Sequence, residues 1–206
     1  MRTAAVTRKT KETDISLSLC LEGGEVKVST GIGFFDHMLT AFAFYAGFGL
    51  ELTVEGDLEV DGHHTVEDTG IALGDALAQA LGEKRGLKRF GSAFVPMDEA
   101  LCFTALDFSG RAFLAFDAPM PQERIGSYDS CLTVEFMRAL AHHAGITLHQ
   151  KEHYGANAHH ITEALFKSLG LAMKEAVKVE GDAVTSTKGV VEGWAISRWG
   201  TTAWGT

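Results

Sequence analysis

The chain has 206 residues, of which 46% are hydrophobic and 22% are charged. These are ordinary values for a globular domain, so the composition excludes collagen-like, low-complexity and intrinsically disordered proteins. A formal net charge of -9 argues against a protein that coats nucleic acid by neutralising phosphates. No apolar run has the length of a membrane span, and we expect neither nucleic acid nor a membrane as a partner.

Three cysteines, Cys20, Cys102 and Cys131, lie far apart and form no CxxC motif. An odd, scattered set is typical of a reducing compartment and argues against a disulfide framework or a thiolate metal site. The first residues, MRTAAVTRKTKETD, contain no apolar stretch of the kind found in secretory signals. We therefore expect a cytoplasmic protein.

The order of predicted elements is similar in the two parts of the chain. The first part predicts three short strands, a helix, a further strand and a second helix, at 3–8, 14–21, 25–29, 34–47, 49–55 and 64–81. The second part predicts extended chain and then two helices with a short extended run between them, at 92–107, 111–117, 130–144 and 159–178.

An internal repeat accompanies this order of elements. His63-His64-Thr65-Val66-Glu67 recurs as His159-His160-Ile161-Thr162-Glu163, and Gly74 has its counterpart in Gly170. The sequence therefore predicts an internally duplicated α+β fold, with two similar halves that each carry a small sheet and two helices packed on one face. The expected divisions are 1–92, 93–190 and a C-terminal tail over 191–206.

The repeated HHxxE motif carries the clearest chemical signal. Residues i and i+4 share one face of a helix, so His63 and Glu67 can approach one metal ion, whereas His64 is rotated by about 100°. One motif alone therefore does not close a site. Two copies, brought together by the internal symmetry or by contacts between subunits, would let His63 and Glu67 take His160, and His159 and Glu163 take His64. Although a single His-His pair is more often a surface feature, two matched copies favour two related metal sites.

Each half has a further candidate ligand on its first predicted helix. His37 and Glu135 precede Gly47 and Gly145, the glycines that end these helices, by the same number of residues. A donor set of imidazole and carboxylate groups suits Mn, Fe or Zn and does not choose among them.

Several long segments around these motifs resemble one enzyme family. They include STGIGFFDHML (29–39), GDLEVDGHHTVEDTGIALGDAL (56–77) and YGANAHHITEALFK (154–167). On these segments the chain is similar to the imidazoleglycerol-phosphate dehydratases of histidine biosynthesis, which lose water from D-erythro-imidazole glycerol phosphate to give imidazole acetol phosphate. The resemblance implies two Mn²⁺ ions per active site, no organic cofactor, and a homo-oligomeric shell of twenty-four subunits with active sites at their contacts.

The resemblance also implies roles for individual residues. The implied metal ligands are His37, His63, His64, Glu67, Glu135, His159, His160 and Glu163. Glu12 matches a catalytic carboxylate that also binds substrate, and Glu67 and Glu163 are candidates for shuttling a proton. The positions that match phosphate and substrate binding are Arg89, Arg111, Lys167, Ser186 and Lys188. Ala41 and Tyr45 depart from the glutamine and histidine that many members carry.

The chemistry of the implied substrate is consistent with such a site. Its reacting C–H bond is not adjacent to a carbonyl, so direct removal of the proton is difficult. Metals on both ring nitrogens would stabilise an imidazolate. The anionic ring could then expel the neighbouring hydroxyl as water to give a diazafulvene, which acidifies the next C–H for removal by a carboxylate such as Glu12. Two alternatives stay open at this point: a dinuclear metallohydrolase, and a metal-binding shell protein without enzymatic activity.

Overall fold

The structure is a computed structural model, and it describes residues 1–121, 123–188 and 191. The first half of the chain contains β1 (Thr3–Lys9), β2 (Thr13–Cys20), β3 (Val26–Ser29), α1 (Gly33–Ala46), β4 (Gly49–Gly56) and α2 (His63–Leu81). The second half contains β5 (Phe90–Met97), β6 (Ala100–Asp107), β7 (Phe113–Asp117), β8 (Arg124–Ile125), β9 (Tyr128–Asp129), α3 (Leu132–Ala144), β10 (Thr147–Tyr154) and α4 (Ala158–Ala176).

The two halves have the same sheet topology. The strand order is β1-β2-β4-β3 in the first sheet and β5-β6-β10-β7 in the second. In each sheet a hairpin pairs antiparallel with a central strand, β4 or β10, and that strand pairs in parallel with the edge strand β3 or β7. The prediction of an internally duplicated α+β fold is confirmed.

The four helices lie between the two sheets. Helices α1 and α2 pack on the first sheet, α3 and α4 pack on the second, and across the middle α1 contacts α4 while α2 contacts α3. Alternation places Ile15, Leu17 and Leu19 on the covered face of β2, where each is almost fully buried. The candidate ligands on the helices are therefore positioned by the central helix pairs.

Two glycines of the repeat allow these helix pairs to approach closely. A Cβ atom on Gly170 of α4 would lie 2.6 Å from the carbonyl oxygen of Phe42 in α1, and one on Gly74 of α2 would lie 2.5 Å from Cβ of His143 in α3. The matched glycines thus have the same packing role in each half.

Some elements differ from the sequence-based expectation. The extended run over 92–107 is a hairpin of two strands that turns at Asp98 and Glu99, and β8 and β9 form a small hairpin that was not predicted. β10 is a full eight-residue strand rather than a short run; its outward side chains are polar and Gln150 is buried, so hydrophobic alternation is weak. No described helix is long and apolar enough to cross a membrane.

The expected division between residues 92 and 93 falls inside β5. We propose that the second half begins with this strand, at Phe90, because the whole of β5 pairs with β6 in the second sheet. The expected tail over 191–206 lies outside the described residues apart from Val191.

Replacing Gly170 by alanine tests the packing of α4 on α1. We expect Gly170→Ala to lower the free energy of unfolding by about 1–3 kcal/mol, because the new methyl group meets backbone that cannot move aside cheaply. Gly33→Ala is the control, since its Cβ would meet nothing within 4 Å. Denaturant unfolding at one chain concentration measures the free energy of unfolding of both variants. A Gly170→Ala variant as stable as the wild type would contradict close contact between α4 and α1.

Candidate metal centre and phosphate pocket

The contact between α1 and α4 brings three candidate ligands together. His37, His159 and Glu163 each offer one ligand atom, and these atoms lie within 4.8 Å of one another. Nε2 of His159 is 3.2 Å from Oε2 of Glu163, and Nε2 of His37 is 3.6 Å from the same oxygen. Imidazole nitrogens around a carboxylate oxygen are a donor set that fits a divalent transition metal. We call these three residues the α1–α4 cluster.

Contacts at the start of α4 fix the orientation of the cluster. Asn157 caps the helix, and its side chain accepts a hydrogen bond from the backbone N–H of His159 at 2.9 Å. The ring of Phe34 meets the His159 ring edge-to-face, with centroids 4.9 Å apart. These contacts hold His159 in place before any ligand binds.

Glu163 is a buried carboxylate with a nearby cation. Burial alone raises its pKa, but Lys167, which donates to Oε1 at 2.7 Å, and the nearby His37 bring the net pKa below its ordinary value. Glu163 is therefore ionised near neutral pH, with one oxygen occupied by Lys167 and the other facing the two histidines.

The equivalent residues of α2 and α3 do not come together as closely. Nε2 of His63 lies 3.6 Å from Oε2 of Glu67, as the i, i+4 spacing predicts. Glu135 pairs instead with Arg138, one turn along α3. Within the described chain, the α1–α4 cluster is the only group whose three ligand atoms meet so closely. We call His63, Glu67 and Glu135 the α2–α3 set.

The second histidine of each motif points away from its own cluster. His64 Nδ1 lies 2.9 Å from Asp57 Oδ2, and its Nε2 lies 3.8 Å from Oε1 of Glu12. His160 Nδ1 lies 2.6 Å from Oε2 of Glu99. The hydrogen bond that His64 donates to Asp57 raises the pKa of His64, and the hydrogen bond that Glu99 accepts from His160 lowers the pKa of Glu99 to about 2.

The expected exchange of histidines between the two motifs does not occur within the chain. His64 and His160 are engaged by carboxylates of their own halves. The physical reason is the helix packing: α2 lies on α3 and α4 lies on α1, so the two motifs do not face each other. Contacts between subunits remain the route by which such an exchange could occur.

Four of the expected phosphate-binding residues line one pocket. Arg89, Arg111, Ser186 and Lys188, together with Ser109 and Thr187, border a cavity of ≈190 Å³. Asp107 holds the Arg89 guanidinium with two bonds of 2.5 and 2.9 Å, and Arg89 also donates to the Thr185 carbonyl at 2.7 Å. The pocket combines cationic side chains with hydroxyl groups, a chemistry suited to a phosphate ester.

Lys167 lies apart from this pocket. Its ammonium group pairs with Glu163 and sits 5.6 Å from the centre of the Tyr45 ring. The structure therefore places Lys167 at the α1–α4 cluster, whereas the resemblance groups it with the substrate-binding residues.

Two carboxylates that contact the second histidines of the motifs were missed in the sequence analysis: Asp57 and Glu99. Symmetry would have found one of them, because Glu99 directly precedes β6 as Glu12 directly precedes β2. Asp57 carries no comparable sequence signal, since its contact with His64 depends on the folded geometry.

Comparisons with known proteins point to one enzyme family. The family model described as imidazoleglycerol-phosphate dehydratase matches residues 30–173. The imidazoleglycerol-phosphate dehydratase of Acetivibrio thermocellus is 54% identical over 189 residues, covering 90% of this chain and 97% of that protein. The protein of the same name from Lacticaseibacillus casei is 52% identical, covering 93% of this chain and all of that protein.

Solved structures that are similar to this chain carry the same family name. The chain is similar to the imidazoleglycerol-phosphate dehydratase of Staphylococcus aureus, with a TM-score of 0.79 and 34% identity over 86% of this chain and 99% of that one. It is also similar to IGPD from Pyrococcus furiosus in complex with (S)-C348, with a TM-score of 0.78 and 43% identity over 90% of this chain and 99% of that one. This chain therefore belongs to the imidazoleglycerol-phosphate dehydratase family, whose members are hydro-lyases.

Proposed function

We propose that this chain dehydrates D-erythro-imidazole glycerol phosphate to imidazole acetol phosphate in histidine biosynthesis. The observation that carries the proposal is the α1–α4 cluster of His37, His159 and Glu163, whose ligand atoms lie within 4.8 Å of one another. Because the chain belongs to a dehydratase family, we assign this cluster to the dehydration reaction. We place this activity in the cytoplasm, where a reducing environment suits the three free cysteines.

Two metal-binding sets support this proposal. The α1–α4 cluster would hold one Mn²⁺, and the α2–α3 set would hold a second, giving two per active site. The donor types suit Mn²⁺ as well as Fe²⁺ or Zn²⁺, and the choice of Mn²⁺ rests on the family. When bound, the two ions would supply Lewis acidity that stabilises the substrate ring as an imidazolate.

The outward direction of His64 and His160 supports sites shared between subunits. Each set presents three donors from one chain, and neither of these histidines reaches a set of its own chain. We propose that His64 completes the α1–α4 cluster of a neighbouring subunit and that His160 completes an α2–α3 set. Such an exchange requires a homo-oligomer, and a closed shell of twenty-four subunits would satisfy it for every chain.

Glu12 is the proposed base that removes the C–H proton. Its carboxylate is about half exposed and lies 3.8 Å from Nε2 of His64, outside both metal-binding sets. A carboxylate that does not bind metal retains the basicity needed for proton transfer. Glu67 and Glu163 would lie beside the bound metals, where each could pass a proton onward.

The phosphate group would occupy the pocket lined by Arg89, Arg111, Ser186 and Lys188. Asp107 fixes the plane of the Arg89 guanidinium, so less conformational freedom is lost when an anion binds. Lys167 would contact the substrate from the metal side instead, since it lies against Glu163.

Assaying the Mn²⁺-loaded protein with imidazole glycerol phosphate tests this proposal directly. We expect imidazole acetol phosphate to form, and the metal-free protein, prepared with a chelator and checked for retained folding, to be inactive. Fully metallated and assembled protein that forms no product would contradict the proposal. The two alternatives would then return: hydrolysis of a phosphate ester would favour a dinuclear metallohydrolase, and no turnover would favour a metal-binding shell protein.

Two variants separate proton transfer from phosphate binding. Glu12→Gln keeps the shape of the side chain and removes its basicity, so kcat should fall by about 10²-fold or more with little change in KM. Lys188→Ala removes a contact made equally in the ground and transition states, so KM should rise with kcat nearly unchanged. Lys27→Ala is the control, because Lys27 lies on the outer side of the first sheet beside Glu25. A Glu12→Gln variant that mainly loses metal would assign Glu12 to ligation.

A further inference from the structure

The carboxylates around the two equivalent histidines come from different positions in the two halves of the chain. Strands β2 and β6 are equivalent in the two sheets, and so are β4 and β10. Glu12 and Glu99 therefore occupy equivalent positions, directly before β2 and β6. Asp57 directly follows β4, but the residue directly after β10 is Gly155. The first half thus has a carboxylate at both of these chain positions, and the second half has one only directly before β6.

The contacts of these groups differ accordingly. In the first half Asp57 lies 2.9 Å from Nδ1 of His64, and Glu12 lies near the other ring nitrogen, Nε2, at 3.8 Å. In the second half Glu99 lies 2.6 Å from Nδ1 of His160, and Asp98 lies 3.7 Å from its Nε2. Glu99 therefore makes the contact that Asp57 makes, although it occupies the position that Glu12 occupies.

Backbone groups hold the Glu99 carboxylate in this orientation. The N–H groups of Ala156 and Asn157 donate to its Oε1 at 3.1 and 2.9 Å. Its Oε2 is the oxygen that faces His160. Because an ionised carboxylate only accepts hydrogen bonds, Nδ1 of His160 must be the donor.

We propose that Glu99 is a positioning residue for His160, as Asp57 is for His64. Each carboxylate holds the ring proton on Nδ1 and so leaves the Nε2 lone pair available to a metal ion. Because Asp57 accepts the hydrogen bond from Nδ1 of His64, Glu12 does not have to make this contact and stays available for proton transfer. This inference rests on the proposed function, since it assigns the ring nitrogen that each outward histidine offers to metal.

Glu99→Gln is the variant that tests this role most sharply. The glutamine oxygen can still accept from the two backbone N–H groups, so its NH₂ group must face His160. An amide NH₂ only donates, and the ring would therefore accept at Nδ1 and carry its proton on Nε2. The substitution preserves size and the backbone contacts, and it reverses the tautomer.

Two measurements follow the variant. In metal-free protein, at a pH above the imidazole pKa, ¹⁵N NMR of His160 should show the proton on Nδ1 in the wild type and on Nε2 in Glu99→Gln. Mn²⁺ titration should show one of the two sites weakened by about 10–100-fold, the range for loss of a partner that orients a metal ligand. The other site should keep its wild-type affinity.

Asp75→Asn is the matched control. Asp75 accepts from Nδ1 of His143 at 2.9 Å, so this variant removes the same type of hydrogen bond from a pair outside both metal-binding sets. Its Mn²⁺ binding should equal that of the wild type. A Glu99→Gln variant with an unchanged His160 tautomer, or with both sites at wild-type affinity, would overturn the positioning role and leave the dehydratase proposal intact. Wild-type protein that binds no Mn²⁺ would overturn both.

Discussion

Adjacent residues of an α-helix point about 100° apart, and the organisation of the whole site depends on this divergence. In each HHxxE motif the first histidine and the glutamate share one face, while the second histidine faces elsewhere. His159 and Glu163 join His37 of α1, whereas His160 meets Glu99. One short motif therefore supplies donors in two directions. In a single chain this leaves each proposed metal-binding set one histidine short, and we propose that a contact between subunits supplies the missing donor.

The close packing of the helices brings candidate ligands on different helices together. His37 reaches the α4 motif because α1 and α4 approach closely at Gly170, where a side chain would meet the backbone of Phe42. The same arrangement is repeated at Gly74 between α2 and α3. Duplication thus copied both the motif and the packing that gives the motif a neighbour. The halves have since diverged. Glu135 occupies the position equivalent to His37, and the position equivalent to Asp57 carries no carboxylate.

The parts of the site that are periodic along the chain could be predicted from the sequence. The repeat located both HHxxE helices, and the distance to a helix-ending glycine identified His37, which the structure brings to His159 and Glu163. Helix periodicity also predicted that His64 and His160 turn away. These features depend on local geometry, which sequence spacing encodes.

The parts that depend on contacts between distant segments could not be predicted. Asp57 and Glu99 contact their histidines only in the folded chain; symmetry with Glu12 marks the position of Glu99 but not this contact. Lys167 has the spacing of an i, i+4 partner of Glu163, yet the resemblance grouped it with the substrate-binding residues, while the structure places it at the metal cluster. β10 was underestimated because its outward residues are polar and its inward face includes Gln150, so the hydrophobic alternation that marks a strand is weak.

The central claim is that each metal site combines donors from two subunits, and complementation between two variants tests it most directly. His64→Ala removes the donor offered outward, and His159→Ala removes one from the α1–α4 cluster, so each variant alone should be inactive. In assemblies re-formed from an equal mixture, an intact cluster from one variant would meet an intact His64 from the other at about a quarter of sites if chains mix at random. We predict that about this fraction of wild-type activity returns. Mixed assemblies that stay inactive, although both variants are present in the same particle, would contradict shared sites.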